Sequence, residues 1–248
     1  MRPAIGITSS FSAVSDGGPK PRLRAQLNAA YTDAVIAAGG APYVMPVPPA
    51  VDESLLDDLL RCVDGVLFTG GSDLDPRHYG QERHPKTEVM HERRDAFELA
   101  LFRRADAARK PIFCVCLGFQ VAHVGRGGAL IQHIPDLSLP EKINHRMTDE
   151  SPPPRTHGLR VEPGSYLSYV VGSTQIDVNS RHHQAVDPDR QGRGLKPVGW
   201  APDGLVEASE DMDNRFLLAV QWHPEDMIEH REHLALFKAL VEAAAKRR

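Results

Sequence analysis

Apolar positions along the 248-residue chain alternate between short continuous runs and stretches with helical spacing, and that alternation sets the fold class. Residues 3–8, 41–47, 64–69 and 111–115 are brief runs rich in strand formers, of the length expected for buried strands. Residues 27–38, 55–60 and 94–109 lie between them and read as helices. The first carries Leu27, Tyr31, Ala34, Val35 and Ala38 on one face, and the third turns Phe97, Leu101 and Ala105 inward. Gly39-Gly40 ends the first helix as a C-cap, while Pro42 and Pro46 restrict the second strand to an edge or a short pairing. Residues 9–21, rich in Ser, Gly and Pro, read as a loop. Strand and helix in this order predict an α/β fold with a parallel sheet covered on both faces.

The second half has a different texture. Gly127-Gly128 closes a helix that begins near Phe119, and residues 129–131 lead away from it. Residues 147–156, with three consecutive prolines, form the most loop-like segment. Short strands are expected at 157–162, 176–179, 197–201, 204–209 and 216–221, and a last helix at 226–244 with Leu234, Phe237, Leu240 and Val241 on one face. No repeat or low-complexity block interrupts the pattern, so one domain over residues 1–248 is expected.

Composition narrows the function. The apolar content of 41% and charged content of 25% are ordinary for a globular protein. A net charge of -4 supplies no basic face for nucleic acid, and no apolar stretch is long enough for a signal peptide or a membrane span. The three cysteines cannot all pair, and Cys114 and Cys116 are too close to suggest a bridge, which fits a reducing, cytoplasmic compartment.

The candidate chemistry centres on P-I-F-C-V-C-L-G-F-Q, residues 111–120. Its strand breaks at Leu117-Gly118 into a helix, so Cys116 falls on a strand-to-helix elbow beside a helix N-terminus. That environment favours a thiolate nucleophile. In a sheet of this kind, sites form at the carboxyl ends of strands. Two more polar clusters fall there: Gly70-Gly71 after residues 64–69, and His223-Pro224-Glu225 after residues 216–221. His223 would take the thiol proton, with Glu225 holding its ring, and the backbone N–H groups of Gly71 and Leu117 could stabilise an oxyanion. Each cluster alone is more often bland: a buried small residue, a plain turn, a packed histidine. A rival set, Cys114, Cys116, His182 and His183, holds metal-ligating residue types but lacks a recognised zinc spacing.

Cys116-Leu117-Gly118-Phe119-Gln120 resembles the C-x-G-x-Q elbow of class I glutamine amidotransferases, and Gln221-Trp222-His223-Pro224-Glu225 resembles their Q-x-H-P-E segment. Further stretches are similar to the γ-glutamyl-γ-aminobutyrate hydrolase branch. They are A-A-G-G-A-P ending at Pro42, T-G-G-S-D-L-D-P-R-H-Y-G ending at Gly80, R-D-A-F-E at 94–98, V-N-S-R-H-H-Q-A-V at 178–186, and Ala201-Pro202-Asp203-Gly204 with Glu207. The resemblance implies a flavodoxin-like core and a Cys116-His223-Glu225 triad. Gly70, Gln120, Ser180 and His182 would help bind the glutamyl moiety. Three positions depart from the pattern: Cys114 stands where glycine is usual, Leu117 where the branch commonly has arginine, and His123 where it often has asparagine.

The resulting expectation is a hydrolase that cleaves the amide of a small γ-glutamyl-amine, of the kind met in polyamine catabolism, through a thioester. It needs no metal or organic cofactor and no nucleic acid or membrane partner, and a homodimer is allowed for. A glutaminase subunit serving a separate synthase and a silent binding module are the alternatives.

Overall fold

The computed structural model describes residues 1–15, 17–18, 20–147, 156–213 and 215–247. The chain runs through β1 (Ala4–Ile7), β2 (Ser10–Val14), β3 (Arg22–Gln26), α1 (Ala29–Ala37), β4 (Ala41–Val44), α2 (Glu53–Arg61), β5 (Gly65–Phe68), α3 (Glu92–Ala107), β6 (Ile112–Val115) and α4 (Leu117–Gly125). It continues through β7 (Leu130–Ile131), β8 (Thr156–Val161), α5 (Tyr166–Val171), β9 (Gln175–Asn179), β10 (Ala185–Val186), β11 (Leu195–Trp200), β12 (Val206–Asp211), β13 (Leu217–Val220) and α6 (Arg231–Ala245).

Nine strands form one sheet in the order β4-β1-β5-β6-β13-β12-β11-β8-β9. The first five are parallel and the remaining pairings are antiparallel. This is the α/β architecture expected, and β4, with its Pro42, is an edge strand as its prolines required. The sheet separates two apolar layers. Along β6, Ile112 and Cys114 face the layer that holds Phe97, Leu101 and Phe102 of α3, while Phe113 and Val115 face Leu236, Phe237 and Leu240 of α6. A strand covered on both faces has to be apolar at every position, which is why β6 reads as a continuous run rather than an alternation.

Register fixes where the site lies. Phe68 of β5 and Ala219 of β13 both pair with Cys114 of β6, so the three strands end at nearly the same level. The turns that follow them, carrying Gly70, Cys116 and His223, therefore emerge side by side at the carboxyl edge.

Three expectations needed correction. Residues 10–26 are not a loop up to Pro21 but include the hairpin of β2 and β3, whose second strand is exposed at every position. With no buried face, it carries no hydrophobic signal. The last helix begins at Arg231, because residues 224–226 form a separate 3₁₀ turn and residues 227–230 follow it outside the helix. The six-residue α5 was missed, though Ser165 caps it by accepting from the Ser168 N–H at 3.0 Å and Gly172 ends it at φ 71°. The proline-rich segment of the 147–156 loop lies outside the described residues.

Candidate active site

Cys116 ends the central strand with φ 52° and ψ -102°, one of two non-glycine residues with positive φ among those described. Such a backbone costs about 1–3 kcal/mol and persists only where its surroundings hold it. Here the Cys116 N–H donates to the Val220 carbonyl at 2.8 Å, and Leu117 opens α4 immediately after it. Gly118 lets the helix sit against β5, since a Cβ there would lie 2.6 Å from the Phe68 carbonyl oxygen. No side chain caps α4, so its first N–H groups remain available beside the sulfur. Cys114, two residues earlier, is wholly buried in the α3 layer, and burial pushes its thiol pKa up.

The turn after β5 is held on two sides. The Gly70 N–H donates to the Tyr31 hydroxyl at 2.9 Å, and Arg94 Nη2 donates to the Gly70 carbonyl at 2.8 Å. Arg94 is itself buried and paired with Glu98 at 3.0 Å. A Cβ on Gly70 would lie 2.8 Å from His223 Cε1 and 3.6 Å from Cys116 Cβ, so only glycine brings this backbone so close to both. Tyr31 was read only as an apolar position on the face of the first helix and Arg94 falls inside the R-D-A-F-E motif, but nothing in their spacing announced this supporting role.

His223 Nδ1 lies 2.7 Å from Glu225 Oε1, and both residues are nearly buried. Asn179 grips the His223 backbone at two points: its Nδ2 donates to the His223 carbonyl and its Oδ1 accepts from the His223 N–H, both at 2.8 Å. Burial pulls the His223 pKa down, but the negative charges of Cys116 and Glu225 and hydrogen bonds to both outweigh it and push it up to about 10. Tyr31 titrates well above its ordinary value, first through burial and then through the Glu225 charge.

Cys116 opens onto two clefts. One, of about 180 Å³, is lined by Gln120, Asp73, Glu88, Arg146 and residues 181–184. The other, of about 330 Å³, is lined by Asn28, Tyr31, Arg181, His223 and Glu225, with Gly70 and Gly71. A larger cleft of about 550 Å³ near Pro111 and Arg215 lies at the opposite end of β6, away from the thiol.

The remaining candidates fall as follows. Gln120 lines the smaller cleft, and its Nε2 donates to Gln221 Oε1 at 3.2 Å. Ser180 is fully buried, with its hydroxyl donating to the His145 carbonyl at 3.0 Å. His182 lines the cleft, but its Nδ1 donates to the Gln184 carbonyl at 2.9 Å and its Nε2 points towards Glu207. His183 Nε2 lies 3.0 Å from Asp73 Oδ2. Among the described residues, two groups of three converging donors occur, His145-His182-Glu207 and His223-Glu225-Asp226. Neither includes a cysteine, so the set of Cys114, Cys116, His182 and His183 is not brought together. His123 is a neutral structural residue: burial, with nearby Arg126, lowers its pKa to about 3, and it bridges Ser209 Oγ at 3.1 Å and the Gly192 N–H at 3.1 Å.

Residues 3–225 match the peptidase C26 family, and the chain belongs to this class I glutamine amidotransferase-like family. The fold is that of glutaminase domains. The glutaminase domain of Trypanosoma brucei CTPS with bound acivicin superposes with a TM-score of 0.62 at 17% identity, over 98% of this chain and 94% of that one. A Mycobacterium tuberculosis protein named provisionally as a glutamine amidotransferase is 37% identical over 98% of this chain and 75% of its own length. Gamma-glutamyl-gamma-aminobutyrate hydrolase PuuD of Escherichia coli K12 is 35% identical over 79% of this chain and 76% of its own. The family is one of cysteine-type amidohydrolases. Among the described residues no helix is long and apolar enough to cross a membrane.

Proposed function

We propose that this protein hydrolyses the γ-glutamyl amide bond of small γ-glutamyl-amines through a thioester on Cys116. The observation that carries this reading is a thiol on a strained elbow between two clefts, with His223 and Glu225 hydrogen-bonded at 2.7 Å on one side of it. The Cys116 thiolate attacks the γ-carbonyl, and the Gly71 and Leu117 N–H groups stabilise the oxyanion. Collapse of the tetrahedral species breaks the C–N bond as His223 protonates the departing amine. A water deprotonated by His223 then hydrolyses the thioester, and Glu225 orients the ring throughout.

The two clefts divide the substrate. His223 lines the cleft that also holds Asn28 and Tyr31, so the amine it protonates leaves on that side. The glutamyl end, with its ammonium and carboxylate, suits the smaller charged cleft of Asp73, Glu88, Arg146 and Gln120, which His182 also lines, whereas Gly70 lines the other cleft and Ser180 is buried. Arg181 reaches both clefts, but Asp226 already pairs with it. No unopposed cation therefore awaits a leaving-group carboxylate among the residues lining the His223 cleft. The kcat/KM values for γ-glutamyl-GABA, γ-glutamyl-putrescine and a neutral γ-glutamyl alkylamide are expected to fall within about a hundredfold of one another, the scale of one charge-assisted contact. Release of ammonia from free glutamine at a higher kcat/KM than all three would favour the glutaminase reading instead, and a preference of many thousandfold for the GABA conjugate would show a dedicated carboxylate site.

The histidine also sets a pH signature. Because His223 must be protonated to serve the leaving amine, and its pKa stands at about 10, acylation should persist through mildly alkaline pH. Its descending limb should lie near pH 10 rather than near the ordinary histidine value of 6.5. Single-turnover acylation followed against pH, with circular dichroism to exclude unfolding, makes the measurement. A loss of rate centred near neutrality would mean that the ring is not held as the cation.

A further inference from the structure

Behind the wall of the Gln120 cleft lies a second polar cluster that the hydrolytic chemistry does not use. β8 contributes His157, β12 contributes Glu207, the turn after β9 contributes Ser180 and His182, and the segment before residue 148 contributes His145. Glu207 is wholly buried, and His145 and His182 are 3% and 5% exposed. Glu207 Oε1 lies 3.2 Å from His145 Nδ1, 3.2 Å from His157 Nε2 and 3.6 Å from His182 Nε2. Proximity here does not amount to hydrogen bonding. Both Glu207 oxygens, His157 Nε2 and His182 Nε2 lack a hydrogen-bond partner.

The outer face of each ring explains why. His182 Nδ1 meets the Gln184 carbonyl at 2.9 Å, and His157 Nδ1 meets the Gly158 carbonyl at 3.1 Å. Carbonyl oxygens only accept, so both Nδ1 atoms carry the hydrogen. His145 Nε2 meets Asp203 Oδ2 at 2.8 Å, in a carboxylate whose other oxygen accepts from the Leu205 N–H at 3.1 Å, so it too is the donor. In neutral rings, the nitrogens of His157 and His182 that face Glu207 are then lone pairs, while His145 Nδ1 also lies 3.2 Å from Ser180 Oγ. Two lone pairs converging on a carboxylate in a dry interior repel it unless positive charge, from a ring proton or a cation, lies between them.

An imidazole whose outer N–H is held by a carbonyl or carboxylate is also the arrangement that orients metal-binding histidines. Donors around a tetrahedral zinc at about 2.0–2.1 Å stand about 3.3 Å apart. The approaches to Glu207 Oε1 match that spacing, and the donor atoms of His145, His182 and Glu207 all lie within 4.8 Å of one another.

We propose that His145, His182 and Glu207 bind a divalent cation. The mixed imidazole and carboxylate donors suit Zn²⁺, with His157 at Glu207 Oε1 the nearest further donor. The site is structural. It ties β12 to the two segments carrying Arg146 and Arg181, which line the smaller cleft, and it leaves Cys116 free for its own chemistry.

The test is made on the full chain, purified after growth with added zinc and freed of loose metal by gel filtration. Elemental analysis is expected to find about one zinc per chain in the wild type and in Cys116→Ser, and a small fraction of that in the double variant His145→Gln/His182→Gln. Zinc-edge X-ray absorption should show nitrogen and oxygen neighbours with imidazole scattering and no sulfur at about 2.3 Å. Stripping the wild type with a chelator should lower its Tm by roughly 5–10 °C, and added Zn²⁺ should restore it. These wild-type readouts hold even if the double variant fails to fold. The proposal is overturned if the wild type takes up no stoichiometric zinc from excess, if sulfur appears in the coordination shell, or if the double variant keeps its zinc. The first of these results would mean that extra ring protons balance Glu207 and Asp203 instead.

Discussion

Cys116→Ala is expected to reduce γ-glutamyl amide turnover on the order of a millionfold, the scale seen when a nucleophile is removed from a catalytic unit. The fold should survive, because alanine fills part of the same space and meets the same backbone strain at φ 52° that cysteine already meets. Cys114→Ala is the informative contrast. Its sulfur lies in the α3 layer, with burial raising its pKa, so its removal should cost some stability through a small core void and leave kcat nearly unchanged. Incubation with a glutamine-like electrophile, followed by peptide mass spectrometry, should place the adduct on Cys116 alone. An adduct on Cys114 in the folded protein, or turnover surviving in Cys116→Ala, would remove the elbow from the mechanism.

What the sequence discloses here follows from how local each feature is. The central strand and its elbow were legible because a strand covered on both faces must be apolar throughout, and Leu117-Gly118 breaks that run abruptly. The edge position of β4 was legible because proline cannot serve an interior ladder. The β2-β3 hairpin was not, since an exposed ribbon carries no apolar code. The supports of the site were hidden for another reason. Asn179 clamps a backbone 44 residues away, and Tyr31 holds a turn 39 residues away. The His145-Glu207 cluster draws on segments far apart in the chain, and no spacing rule reaches across such distances. Sequence could name the residue types, but only packing could bring their lone pairs together.

His223→Ala should cost nearly as much as loss of the nucleophile, about 10⁶ in kcat, because triad members act as a unit. The alanine variant also leaves the buried Glu225 carboxylate without its partner, a penalty of about 3–5 kcal/mol where a buried pair is broken from one side. His223→Gln, which keeps a polar group against Glu225, therefore serves as the better-folded comparison. Glu225→Gln should cost less, on the order of 10⁴. The amide oxygen can still accept from His223 Nδ1, but the charge that helps keep the ring protonated is gone. The same substitution should move the descending limb of the acylation profile below its wild-type position near pH 10, because one of the influences raising His223 has been removed. Thermal denaturation of each variant separates folding loss from catalytic loss, and single-turnover rates against pH supply the second readout. Equal losses for His223→Gln and Glu225→Gln with an unmoved limb would mean that Glu225 shapes the fold around the histidine and takes no part in holding its charge.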